Sequence, residues 1–244
     1  MREHLVFLLS APLASFGGYA GHERRGSGPV PMRSAVLGLV GAALGIDRID
    51  AESQAALRAY SVAVQSFHRS TPLRDYHTVQ TVPTAKVKRP STRSRALARA
   101  GRDANTVITI RDYRCDVLIG AAVWGDGRWT LDDLADRLRR PRFPLYLGRK
   151  SCPLANPLNP EVVTAETPVE ALARIGIPQW LRPEGWSEQD RSQYLVHSDP
   201  VDGFHPPPSS ERVPGEPLDR RNWTFGECAV WHLGERRSDP GSPA

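Results

Sequence analysis

Residues 16–45, FGGYAGHERRGSGPVPMRSAVLGLVGAALG, run a glycine-rich basic loop straight into an apolar segment, and that junction limits what the chain can become. Val36, Leu37, Val40 and Leu44 recur at helical spacing, Ser34 stands where an N-cap is expected, and Gly45 stands where a left-handed C-cap is expected. The spacing predicts a helix over 34–44. Gly38 and Gly41 inside it each cost about 1 kcal/mol relative to alanine, a penalty that is tolerated when a helix must lie close against a sheet.

The loop carries Gly17, Gly18, Gly21, Gly26 and Gly28 together with His22, Arg24, Arg25 and Arg33. Backbone N–H groups and cationic side chains converging near a helix N-terminus suit an anion, and phosphate is the natural one. No Gly-Lys-Ser/Thr closes the loop, and the glycine spacing of a dinucleotide fingerprint is missing, so a nucleotide P-loop is excluded. The phosphate is expected to belong to a larger ligand.

The remaining composition points the same way. A net charge of +5 and a pI near 9.4 favour a polyanionic partner. No apolar run approaches the roughly 20 residues that span a bilayer, and the N-terminal alternation suits a strand better than a signal peptide, so a cytoplasmic protein without membrane contact is expected. Cys115, Cys152 and Cys228 are far apart and form no CxxC pair, which supports neither a zinc knuckle nor a disulfide framework; reduced, buried thiols are expected. The seven histidines show no close metal spacing. Neither a metal nor a cofactor is called for.

Along the chain, residues 5–9 read as a buried strand, 50–59 as a short helix, and 60–67 as a strand exposed on one face. Residues 74–81, RDYHTVQT, are strand-like, yet Asp75, Tyr76 and His77 are too polar for a core strand. Residues 86–102 then place Lys86, Lys88, Arg89, Arg93, Arg95, Arg99 and Arg102 in one run without an acidic residue. Such a block repels itself, and it is expected to form an extended or disordered arm until it meets an anion. Strand-like sequence at 78–84 and 106–113 makes it the tip of a long hairpin. Residues 111–124 continue as a long strand. A helix follows, capped by Thr130, with Asp132 and Asp133 in its first turn and Arg137, Arg139 and Arg140 in its last, until Pro141 stops it. Tyr146, Gly148, Arg149, Lys150, Ser151 and Cys152 make a compact basic turn.

This order fits an α+β fold with a ferredoxin-like β-α-β-β-α-β core that carries an insertion. Farther on, 168–176 reads as a short helix and 180–190 as irregular, while the proline-rich 204–217 is incompatible with a regular helix. Strands at 193–197 and 223–233 are expected to complete a sheet, and the polar tail 235–244 to be disordered.

Four blocks then carry a family resemblance: Ser10-Ala11-Pro12-Leu13 with Phe16-Gly17; Met32-Arg33-Ser34 with the LGLVGAALGI helix; Arg74-Asp75-Tyr76-His77-Thr78-Val79; and YLGRKSCPL at 146–154. In this order they resemble the CasD subunit family of type I-E CRISPR Cascade complexes. The resemblance covers roughly residues 3–160. It implies a ferredoxin-like domain related to the RNA-recognition motif, occupying 1–160, with a protruding thumb hairpin at about 78–111. An irregular C-terminal β extension would span 161–234. It further implies a non-catalytic, RNA-binding subunit that caps the 5′ handle of the crRNA. The thumb would lie against the backbone subunit CasC, another face would dock the large subunit CasA, and target DNA would be reached only through the complex.

By motif, the implied handle contacts are Arg33, Arg111, Tyr146, Arg149, Lys150 and Ser151. The charge pattern adds Arg24, Arg25, Lys86, Lys88, Arg89, Arg93 and Arg95 as RNA-binding candidates. Single-stranded RNA is held by cations on its phosphates and by aromatic or guanidinium planes under its bases, and Tyr146 is the candidate platform.

The rival reading is a metal-independent endoribonuclease that processes CRISPR repeat RNA, drawing on Tyr76, His77, His68 and either Lys86 or Arg74. Adjacent residues of a strand point to opposite faces, so Tyr76 and His77 do not readily share one scissile phosphate. A structural His77 is expected.

Overall fold

The computed structural model describes residues 1–17, 23–83, 85, 87–191, 194, 196–201, 209–219, 222 and 224–233. Gly18, Gly21, His22, Lys86, Pro206, Pro207, Pro208 and the tail therefore lie outside the described residues. In chain order the elements are β1 (Arg2–Ala14), β2 (Arg24–Arg25), α1 (Arg33–Leu44), α2 (Ala51–Ala56), a 3-10 turn (Leu57–Ala59), β3 (Ser61–Ser66) and β4 (Thr71–Thr81). Then come α3 (Arg93–Ala100), β5 (Asn105–Trp124), α4 (Leu131–Arg139), β6 (Glu161–Ala165), α5 (Pro168–Ala173), α6 (Glu188–Arg191), β7 (Val196–Ser198), β8 (Ser210–Asp219) and β9 (Thr224–Leu233).

The strands form one large sheet in the order β6-β1-β5-β3-β7-β9-β8, antiparallel along that path, with β4 and the two-residue β2 attached to β5. The protein is thus a mixed α/β fold built on an antiparallel sheet. Both faces of its centre are covered. Alternation sends Leu5, Phe7 and Leu9 of β1 into a core shared with α1 and α4, and Val6 and Leu8 into a second core shared with α5. β5 divides in the same way, Val117, Ile119, Ala121 and Val123 against Leu118, Ala122 and Trp124.

β3 departs from the sequence expectation. Val62 and Val64 enter one core and Ala63 the other, so the strand is buried on both faces rather than exposed on one. It lies between β5 and β7, and a strand covered by helices on both sides has no solvent face to display.

α1 begins one residue before the expected start. Met32 is the N-cap and makes no side-chain cap bond, while Ser34, expected in that role, sits inside the first turn. Gly45 closes the helix at φ 80° with its N–H on the Ala42 carbonyl, as its position predicts. Both interior glycines line one groove, and a Cβ on Gly41 would lie 3.0 Å from Leu57. In α4 the Thr130 hydroxyl accepts from Asp133 N, and the Asp133 carboxylate accepts from Thr130 N, a complete capping box. Thr130→Ala is expected to cost about 1 kcal/mol, read as a lower denaturation midpoint at unchanged m-value.

Beyond Cys115 the outer half of β5 leaves the core and pairs with β4 from Thr71↔Cys115 to Thr81↔Asn105, an arm about 34 Å long at 3.4 Å per residue. Its tip is not extended. Thr92 accepts from Arg95 N to start α3, and Ala96 and Ala100, four apart, are buried together with Val87. A cap and a small apolar stripe thus outweigh the self-repulsion of the basic run.

The proline-rich stretch is likewise ordered where it is described. Pro214 and Pro217 lie in β8, whose outer edge has no partner strand among the described residues, and an edge strand tolerates residues that lack an N–H. Of the thiols, all free, only Cys152 is buried; Cys115 and Cys228 are half-buried. Among the described residues no helix is long and apolar enough to cross a membrane.

Candidate nucleic-acid interface

The basic turn after α4 is tied to the end of β1. Ser15 N donates to the Leu147 carbonyl at 3.0 Å and Leu147 N to the Cys152 carbonyl at 2.9 Å. Gly148 makes this contact possible: its φ is +86°, and a Cβ there would lie 1.7 Å from the Ser15 carbonyl oxygen. Arg149 and Lys150 are thereby presented beside the glycine loop. The loop closes on itself through Gly28 N to the Phe16 carbonyl and Phe16 N to Ser27 Oγ, which sets β2 against β5 with Arg25 opposite Arg111.

Three arginines, Arg25, Arg111 and Arg149, are neighbours here. The Arg149 guanidinium carbon lies 4.4 Å from the ring centre of Tyr113, and its Nη2 donates to the Arg25 carbonyl at 3.4 Å. Arg111 sits two residues before Tyr113 on the same face of β5. None of Arg25, Arg111 and Arg149 has a carboxylate partner among the described residues, and Arg149 Nη1, Arg111 Nε and Thr109 Oγ1 are buried without a hydrogen bond there. The opposite face of the arm is different. Arg24 and Arg74 share the Asp112 carboxylate at 3.1 and 2.9 Å, and these bonds, Arg74 foremost, hold that carboxyl below the usual carboxylate range. One face is therefore neutralised; on the other the single carboxylate across from Arg111, Asp75, is engaged by His77, which leaves a partly desolvated surplus of positive charge, the electrostatic condition for binding an anion.

Arg25 and Arg149 border an open groove of about 1350 Å³ that runs over α1, with Arg111 next to them on the adjoining face of β5. Arg25, Arg149 and Lys150 stand on its rim with the half-buried Tyr146. Gly38, Leu39 and Ala42 of α1 line it together with Pro214 and Phe225 of the β8–β9 hairpin. Asp47 is the one carboxylate among the described lining residues. An apolar lining beside a cationic rim suits a chain that carries flat apolar bases on a charged backbone.

The sequence candidates separate into groups. Arg25, Arg111, Tyr146, Arg149, Lys150 and Ser151 come together, Ser151 exposed within the same turn. Lys88, Arg89, Arg93 and Arg95 lie at the arm tip, about 20 Å farther along the strand from Arg111. Arg24 is matched by Asp112. Arg33 must be withdrawn as a contact residue, because its guanidinium points inward: Nε to Asp199 at 2.8 Å, Nη1 to Glu216 at 2.8 Å, and Nη2 to the carbonyls of Arg58 and Tyr60. The residues that the sequence reading missed are Tyr113, Thr109 and Asp112. Tyr113 and Thr109 share the alternation of Arg111, a signal available in the sequence once that strand is recognised.

The nuclease candidates divide as strand geometry requires. His77 Nε2 is bonded to Asp75 and lies across from Thr109, whereas Tyr76 is 60 % exposed on the other face with Arg74.

A family model described as CRISPR-associated protein (Cas_Cas5) matches residues 4–231 of the chain. The chain belongs to this Cas5 family. The CRISPR system Cascade subunit CasD of Escherichia coli (strain K12) is 34% identical over 186 residues, covering 70% of this chain and 76% of that protein. Among solved structures, a chain of a "CRISPR RNA-guided surveillance complex" aligns over 94% of this Cas5 chain and 89% of its own length, with a TM-score of 0.66 at 20% identity. A "Crystal structure of Cas protein" aligns over 94% and 93%, with a TM-score of 0.59 at 23% identity. The two structures share the fold described above.

Proposed function

We propose that this Cas5 chain is the Cascade subunit that holds the 5′ handle of the crRNA in the groove over α1, without cutting it. The observation that carries this reading is the face of unmatched guanidiniums, Arg25, Arg111 and Arg149, at the edge of an apolar-lined groove. Kinship with a Cascade subunit supports a place in a CRISPR complex, and the setting is read as a type I-E surveillance complex in the cytoplasm. Phosphates would sit on Arg25, Arg111, Arg149 and Lys150, and a base on Tyr146. β1, β3 and β5 with α1 and α4 are read as the ferredoxin-like core within residues 1–160, with β6 joining its sheet from the segment that follows. The β4–β5 arm, centred on 78–111, is read as the thumb, its basic tip with Lys88, Arg89, Arg93 and Arg95 lying against RNA and the backbone subunit CasC. Residues 161–234 are read as an extension of the sheet, and an outer face of the chain as the dock for CasA, through which target DNA is reached.

The test is to incubate the purified chain with labelled CRISPR repeat RNA in EDTA and run one sample on native and denaturing gels. Intact RNA that shifts, and shifts less when the 5′ handle is removed, is expected. A discrete metal-independent cut that disappears in His77→Ala would instead make the His77–Asp75 pair and Arg111 parts of a nuclease.

A further inference from the structure

The groove has a wall that belongs to a distant part of the chain. Pro214 and Phe225 line it from the β8–β9 hairpin. That hairpin joins the rest of the sheet only at one end, where Val196–Ser198 of β7 pair with Trp231, His232 and Leu233 of β9. From residue 216 to the turn, neither strand pairs with anything else among the described residues. Midway along β8 the hairpin is tied to the body. Glu216 Oε2 accepts from Arg33 Nη1 at 2.8 Å, and a Cβ on Gly215 would come within 3.9 Å of Met32 at the start of α1. Arg33 is itself fixed by Asp199 and by the carbonyls of Arg58 and Tyr60, and Asp199 also accepts from Val62 N at 2.8 Å. Arg33 is thus held from several sides, and Glu216 links the hairpin to it by an ion pair.

We propose that Glu216 is a positioning residue for RNA: through Arg33 it sets the β8–β9 hairpin as a wall of the groove that Arg149 and Lys150 also line. This inference rests on the proposed RNA-binding function. It touches no phosphate, and that gives it a distinctive sign. Removing a carboxylate near a polyanion site strengthens binding by charge alone, whereas loosening a wall weakens it.

The experiment measures binding of the full chain to 5′-handle RNA across a salt series, for the parent, Glu216→Gln and Phe225→Ala. Glu216→Gln is expected to weaken binding about tenfold, the scale of one hydrogen bond to a charged group, with the slope of log affinity against log salt unchanged. Phe225→Ala, which leaves the ion pair intact, is expected to weaken binding with the same unchanged slope. Equal or tighter binding by Glu216→Gln overturns the proposal; if that variant loses its cooperative melt, undiminished binding by Phe225→Ala overturns it. A merely structural role for Glu216 would lower the melting temperature and leave affinity intact well below it. Failure of the parent to bind handle RNA at all would overturn the functional reading, and is distinct from a parent that binds and a Glu216→Gln variant that binds equally well.

Discussion

Arg33→Met is expected to destabilise the folded chain by about 3–5 kcal/mol, the scale for removing one partner of a buried ion pair. The side chains of Arg33 and Asp199 are only 11% and 9% exposed, so deleting the guanidinium strands a carboxylate that water cannot reach. Methionine keeps most of the volume and isolates the charge effect. The pH dependence follows from Asp199. Burial pushes its carboxyl above the ordinary value, against the downward pull of Arg33 and the Val62 N–H. A carboxyl whose folded pKa exceeds its unfolded one favours the folded state when protonated, so its contribution falls as pH rises between the two values. Without Arg33 that window widens upward. The penalty of Arg33→Met is therefore expected to be largest at neutral pH and to shrink in acid, and Asp199→Asn introduced beside it should recover much of the loss. Denaturant unfolding of the single and double variants over a pH series checks both. A pH-independent penalty that Asp199→Asn does not relieve would contradict the assignment.

Replacing Arg25, Arg111 and Arg149 together by alanine is expected to have the largest effect on RNA binding. If each neutralises one phosphate, the triple variant loses about two units from the salt slope, at roughly 0.7 per contact on a single strand, and about 10²-fold or more in affinity at moderate salt. Stability should change little, because none of these guanidiniums is in an ion pair among the described residues, and loss of the Arg149–Tyr113 contact is offset by relief of their mutual repulsion. Arg24→Ala is the control. Its charge is already matched by Asp112, so it is expected to change the slope little. A titration of slope against number of replaced arginines distinguishes the two faces of the arm. Equal losses from Arg24 and Arg149 would mean that only net charge matters.

Local signals carried most of the fold. The apolar spacing in 34–44, the αL glycine at 45 and the Thr130/Asp133 box all specify structure within a few residues, and each lies where the sequence indicates. What escaped were properties of the assembled sheet. β3 looks half-exposed by alternation, yet α1 packs on one side of it and the α5 region on the other. The helical arm tip was hidden by its charge, although Thr92 and the Ala96/Ala100 spacing signal it.

The candidate site divides along the same line. Arg25, Arg111, Arg149 and Lys150 could be picked from charge and motif. Which of the basic residues are free was not legible, because Asp112 lies 88 residues from Arg24, and Asp199 and Glu216 lie 166 and 183 from Arg33. An arginine in the sequence declares its charge, and only the fold declares its partner.

The most direct test of the account is to photocross-link the chain to repeat RNA carrying photoreactive nucleotides in its 5′ handle and to map the attached residues by mass spectrometry. Adducts at Tyr113, Tyr146 and the 148–151 turn are predicted, and they should disappear in the Arg25, Arg111 and Arg149 triple variant. Adducts confined to α3 at the arm tip, with the groove residues unmodified, would contradict it.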